Sequence, residues 1–141
     1  MTVRTEKNGT VWTVIHSRFD EARNAMDPHS ADELVQHLQA FDRDPDARVA
    51  VLWGEGGAFC AGWDLKDASS LADPARFDQQ IVRDLAFPQG ANAAPRGPLG
   101  PTRLELSKPV IAAVEGPAVA GGMELALWCD VRVMAETAYF G

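Results

Sequence analysis

The sequence predicts an α/β fold. Short apolar runs of strand length alternate with segments of helical period, and strand–helix alternation is the mark of that class. The two most apolar runs are each followed at once by a glycine-bearing turn. The composition is globular, with 46% hydrophobic and 23% charged residues in 141. No internal repeat or low-complexity tract interrupts the pattern, and the length suits one domain with no room for a second.

Val11-Trp12-Thr13-Val14-Ile15 is β-branched and aromatic, which predicts a strand. Residues 3–7 pair with it through a turn at Asn8-Gly9. Asp27-Pro28 reads as a helix start, the aspartate as N-cap and the proline at the first helical position. Ala31, Leu34, Val35, Leu38 and Phe41 then form one apolar helix face, and Asp44-Pro45-Asp46 stops it. Val49-Ala50-Val51-Leu52-Trp53 is continuously apolar, which predicts a strand buried on both faces. Residues 72–86 are expected to hold a helix. Pro88, Pro95, Pro98 and Pro101, with Gly90, Gly97 and Gly100, mark a long loop without helix or strand. Residues 110–114 predict a second buried strand, residues 121–129 a helix, and residues 131–134 a closing strand.

Lys and Arg number 13 against 20 Asp and Glu, a net charge of −7. That balance argues against a nucleic-acid partner, which wants a basic face. It leaves room for an anionic small molecule held by local donors. No apolar run approaches a membrane span, and Met1-Thr2-Val3-Arg4 opens no signal-peptide pattern. The expectation is a cytoplasmic chain without a membrane partner. Cys60 and Cys129 form no CxxC and read as small buried hydrophobes. His16, His29 and His37 lack ligand spacing, so no metal site is expected; with Trp53 they are assigned to packing or surface.

Chemistry concentrates in two turns at the carboxyl ends of the buried strands, where open α/β folds place their ligands. One runs Gly54-Glu55-Gly56-Gly57-Ala58-Phe59-Cys60-Ala61-Gly62-Trp63-Asp64-Leu65, the other Glu115-Gly116-Pro117-Ala118-Val119-Ala120-Gly121-Gly122-Met123-Glu124-Leu125. Glycine lets a ligand approach the backbone, and a helix starting at Gly121 adds its positive dipole end. Neither turn fits a phosphate-binding loop, a dinucleotide fingerprint or a nucleophile elbow, and each alone is a weak signal.

As an ordered set they are specific. Glu21-Ala22-Arg23-Asn24-Ala25-Met26, Phe59-Cys60-Ala61-Gly62-Trp63-Asp64-Leu65, residues 108–116, residues 120–127 and Cys129-Asp130-Val131-Arg132 together resemble the crotonase superfamily of enoyl-CoA hydratases and isomerases. The resemblance runs from the first strand to the last residue. It implies a crotonase-like (ClpP/crotonase) spiral of ββα units acting on acyl-CoA thioesters. Coenzyme A would be part of the substrate, with no prosthetic group.

The resemblance assigns a backbone oxyanion hole to the N–H groups of Trp63 and Gly121, and a catalytic acid/base to Glu124. Ala22, Arg23, Ala25, Ala61, Gly62, Asp64, Leu65 and Gly122 fall at its substrate- and CoA-contacting positions. The Trp63 side chain is expected to reshape the acyl pocket. Partial burial is expected to raise the Glu124 carboxyl into the acid/base range, against the plainer reading of an exposed glutamate favoured by a helix N-terminus. Arg23 and Lys66 read equally as phosphate contacts or as solvated surface, and Asp130 as a helix-end structural residue.

Hydration in this superfamily uses two acids, the second in a Phe-Gly-x-Pro-Glu stretch that Phe140-Gly141 only begins. Residues 1–141 are thus expected to be the N-terminal core of a larger domain, lacking the C-terminal helices that build the family's trimer or hexamer. The leading reading is an enoyl-CoA hydratase. An isomerase or another crotonase-type reaction stands beside it, as do a non-catalytic acyl-CoA-binding module and an inactive fragment.

Overall fold

The computed structural model describes residues 1–69, 72–85, 90 and 95–141, with side chains omitted at 78 and 80–83. Among the described residues five strands form one sheet in sequential order: β1 (Val3–Asn8), β2 (Val11–His16), β3 (Val49–Gly54), β4 (Val110–Val114) and β5 (Val131–Met134). β1 and β2 are an antiparallel hairpin, and β2 to β5 run parallel. Asn8 still pairs with Val11, so the turn is Gly9-Thr10 rather than Asn8-Gly9. Gly9 takes φ 59 there.

Parallel neighbours need crossovers, and the one from β2 to β3 carries α2 (Pro28–Arg43). The Asp27 side chain accepts from the Ser30 amide at 2.7 Å, a cap worth about 1 kcal/mol. Leu34, Leu38 and Phe41 face inward from α2, in one core with Val14, Ala50, Leu52 and Ala112 of the sheet, and Ala31 on the same helix is buried too. α5 (Gly121–Trp128) adds Leu125 and Ala126 to this core. The remaining helices are short α1 (Phe19–Ala22) and α3 (Leu65–Ser69), which the periodicity did not announce, and α4 (Pro74–Leu85) within the expected 72–86 stretch.

Each strand of the parallel set hands on to a second, smaller ladder. Single parallel bridges join Met26 to Trp63, Cys60 to Ala118, and Ala118 to Phe140. Strand, bridge residue and helix therefore recur, which is the ββα spiral expected. Residues 86–89 and 91–94, at the start of the proline-rich loop, lie outside the described residues. At its end Gly97 bridges Gly100, and Pro101–Arg103 forms a 3-10 turn.

The expectation of strands buried on both faces is corrected. β3 and β4 alternate: Ala50, Leu52, Ala112 and Val114 are buried, while Val51, Trp53, Ile111 and Ala113 are only half-buried. Among the described residues the helices cover one face. On the other, Thr13, Val51, Trp53, Ala113 and Val133 line an open cleft. A continuous apolar run tells what a strand is made of, not what covers it.

His16, at the end of β2, is buried, its ring edge-on to Phe59 at 5.9 Å. Its Nε2 has no hydrogen-bond partner among the described residues, and Arg18 is the charged side chain sharing its cavity. Burial pushes the imidazole down to about 4. The native state then stays neutral to about pH 4, while the unfolded chain's imidazole gains a proton near 6.5. This residue's contribution is complete above about pH 6.5 and is lost as pH falls toward 4, by about 3 kcal/mol. Urea midpoints at pH 7 and about 4.5 should differ more in wild type than in His16→Met; equal pH slopes would overturn the assignment.

Candidate active site

Two turns at the carboxyl ends of β3 and β4 are locked backbone to backbone. The amides of Phe59 and Cys60 donate to Pro117 O at 2.9 and 3.3 Å, and Val119 N–H donates to Cys60 O at 3.1 Å. The C-terminal segment joins the same stack, with Ala118 N–H on Tyr139 O at 3.0 Å and Ala120 N–H on Gly141 O at 2.6 Å. This stack holds Ala120, the residue before α5, at φ 49 and ψ −125, a conformation L residues rarely adopt.

The geometry frees particular amides. Gly62 O accepts from Met26 N–H at 2.8 Å, and Asp64 N–H donates to Met26 O at 2.9 Å. In extended backbone successive groups point opposite ways, so the N–H of Trp63 between them faces away from Met26. Gly121 is the first residue of α5 and has no acceptor a turn earlier. Among the described residues the amides of Ala61, Trp63 and Gly121 donate no hydrogen bond. Gly62 itself abuts the start of α5: a Cβ on it would lie 3.1 Å from Gly121 N.

Ala22, Ala25, Ala61, Trp63, Asp64 and Leu65 do come together. With Glu21 and Lys66 they line a cleft of about 210 Å³. The Trp63 side chain belongs to this cleft. A larger cavity, about 500 Å³, lies among Asp27, Pro28, His29, Asp67, Arg76, Gln79 and Asp84, and Trp63 and Gly121 are not among its lining residues. Arg23 is exposed at φ 53, its guanidinium 4.9 Å from the Phe19 ring centre.

At several expected contact positions the amide is already used, and one expectation, the partial burial of Glu124, is corrected. The amides of Ala22, Ala25, Asp64 and Gly122 already donate, to Arg18 O, Ala22 O, Met26 O and Val119 O. Those four offer no free N–H to a ligand. Gly122 leaves no room for a side chain, since a Cβ there would sit 2.0 Å from Cys60 O. Glu124 is exposed rather than partly buried. α5 turns Gly122, Leu125 and Ala126 inward, and the helical period leaves Glu124 and Leu127 on the outer face.

Cys60 and Cys129 are buried free thiols, each pushed up to about 12 chiefly by burial. Asp130 accepts from Val110 N–H at 2.8 Å, clamping the start of β4. No group of three His, Cys, Asp or Glu among the described residues is arranged to hold a metal. No helix among them is long and apolar enough to cross a membrane.

The sequence profile of the enoyl-CoA hydratase/isomerase family matches residues 6–141. The chain belongs to that family. It is 38% identical to enoyl-CoA hydratase EchA19 of Mycobacterium tuberculosis, over 96% of this chain and 47% of the relative. It is 31% identical to a peroxisomal Δ(3,5)-Δ(2,4)-dienoyl-CoA isomerase of Arabidopsis thaliana, over 98% of this chain and 49% of the relative. A crystal structure of an enoyl-CoA hydratase from Geobacillus kaustophilus HTA426 superimposes with TM-score 0.78 at 32% identity, covering 100% of this chain and 49% of that one. The chain spans about half the length of the family members it matches.

Two residues of this family member have a role that the sequence did not announce: Arg18, and Asn24 within the matching stretch 21–26. Asn24 is buried at φ 61. Its Nδ2 donates to Glu55 O and Ala58 O, both at 2.8 Å, and its Oδ1 accepts from Arg18 N–H at 2.8 Å. It thus pins the turn after β3 from beneath. Asn24→Ala should cost about 2–4 kcal/mol in urea unfolding, because two carbonyls and an amide are left buried and unpaired. Asn24→Gly keeps the left-handed backbone and should fall as far. Restored stability in the glycine variant would show that the conformation, not the amide, matters.

Glu55, on the same turn, meets Arg4 through two contacts of 2.8 Å, and Arg4 and Ser17 hold its carboxyl down to about 2. For Asp64, burial alone would raise the carboxyl, but the Lys66 amide, Arg18 and the Asp67 amide together hold it below the usual range.

Proposed function

We propose that this chain carries the thioester-gripping part of an enoyl-CoA hydratase. The observation that carries the reading is the pair of undonated amides, Trp63 N–H and Gly121 N–H, on two turns bonded directly to each other. When water adds across a 2-enoyl thioester, its oxygen bonds to C3 and the π electrons move onto the thioester oxygen. The charge collapses when C2 takes a proton. Two fixed donors aimed at that oxygen each lower the barrier by roughly 3–4 kcal/mol. Glu124, one turn into α5, is the carboxylate proposed to position the water and take its proton, and the family's second acid would deliver a proton to C2. The cleft formed by Ala22, Ala25, Ala61, Trp63, Asp64 and Leu65 receives the CoA portion.

The kinship to relatives about twice as long supports reading residues 1–141 as the N-terminal core of a larger crotonase-like domain. Assembly of the larger domain into trimers or hexamers rests on the resemblance, and a cytoplasmic location on the sequence pattern alone. An isomerase uses the same amides with a single acid, in keeping with the dienoyl-CoA isomerase among the relatives. The exposure of Glu124 favours a second reading, acyl-CoA binding without turnover.

Loss of crotonyl-CoA absorbance, followed alongside binding of acetoacetyl-CoA, separates these readings. Hydration supports the hydratase. Binding without hydration leaves the binding module. No preference for acetoacetyl-CoA over free coenzyme A removes the oxyanion hole itself.

A further inference from the structure

We propose that Arg18 is a positioning residue, its guanidinium the tie that keeps the Trp63 amide turned outward toward ligand. The inference rests on the oxyanion-hole reading above. Arg18 is only 13% exposed in its side chain and reaches two segments at once. One terminal nitrogen donates to Ala25 O at 2.8 Å, and the other to Asp64 Oδ2 at 2.9 Å, with Asp27 Oδ2 at 3.3 Å. Its own backbone N–H is fixed by Asn24. Glu21 approaches Nε only to 3.8 Å and is itself exposed.

The two anchor points flank the Met26–Trp63 bridge on both strands, Ala25 before Met26 and Asp64 after Trp63. The other Asp64 oxygen accepts from Lys66 N–H at 2.9 Å and starts α3. A single planar cation thus spans the bridge whose register decides which way the Trp63 N–H points. Arginine suits the task because its rigid fork reaches a carbonyl and a carboxylate together, whereas a lysine supplies one point charge. Without it the bridge keeps its two backbone bonds but loses the cross-tie that stops residues 61–65 from twisting.

The test compares two probes on the full chain. Acetoacetyl-CoA puts enolate charge on the thioester oxygen, whereas free coenzyme A has no thioester carbonyl for the amides to grip. Calorimetric titration of wild type, Arg18→Met, Arg18→Lys and Asp64→Asn gives the preference for acetoacetyl-CoA in each. Arg18→Met should lose about tenfold of that preference, with coenzyme A affinity within about twofold of wild type. Arg18→Lys should recover part of the loss, and Asp64→Asn, close to isosteric, should lose part. Arg18→Met and Asp64→Asn with wild-type preference overturn the inference, as does an equal loss for both probes. If Arg18→Met does not unfold cooperatively, Arg18→Lys and Asp64→Asn decide the matter by the same ratio. A wild type that itself shows no preference defeats the oxyanion-hole reading instead.

Discussion

A Gly122→Ala protein is expected to unfold about 10 °C below wild type and to lose acyl-CoA binding. The added Cβ would lie 2.0 Å from Cys60 O, 2.7 Å from Cys60 C and 2.9 Å from Cys60 Cβ. The nearest obstacles are backbone, so no rotamer change relieves them. Cys60 O is also the acceptor for Val119 N–H, and Cys60 N–H is bonded to Pro117 O. Pushing Cys60 away therefore opens the contact between the two turns. Overpacking of this kind costs about 3 kcal/mol. The same displacement separates the Trp63 and Gly121 amides, so binding fails with stability. Gly9→Ala is the control: at φ 59 it has nothing within 4 Å and should cost only about 1 kcal/mol. Thermal unfolding compares the two, and equal losses would mean the turns are not interlocked at Gly122.

Gly116 repeats the device, its Cβ position 2.0 Å from Gly57 O. Both glycines were visible in sequence as turn residues, but what they touch was not. The resemblance marked Gly122 as a ligand contact, and the packing adds that it holds the turns together. Local signals were read well where the partner lies nearby in the chain. Asp27 and Pro28 start α2 because cap, amide and first turn sit within three residues. Signals failed where the partner is distant. Arg18 meets Asp64 across 46 residues and Asn24 meets Ala58 across 34, and no periodicity records such pairs. A trace existed for Asn24: an asparagine in a tight turn tolerates positive φ and offers both donor and acceptor. The misreading of Glu124 has another cause. Its neighbours are apolar, but on a helix burial follows the angle around the axis rather than the neighbours in sequence.

That outward angle makes Glu124→Gln the sharpest test of the chemistry. Glutamine keeps the size of the side chain and cannot shuttle a proton, so crotonyl-CoA hydration should fall by about 10²-fold or more. Fold stability should hardly change, because Glu124 is exposed and its carboxylate makes no hydrogen bond or ion pair among the described residues. Binding should move the other way. A carboxylate one turn from the Gly121 amide repels the enolate charge those amides collect, so removing it should tighten acetoacetyl-CoA by a few-fold while leaving free coenzyme A alone. The two readouts separate roles that activity alone would merge. Lost turnover with tightened enolate binding marks Glu124 as the group facing the reacting carbons. Unchanged turnover would remove it from the mechanism. Unchanged binding of both ligands would mean that the carboxylate points into solvent away from the thioester, and the binding-module reading would then take precedence over the hydratase.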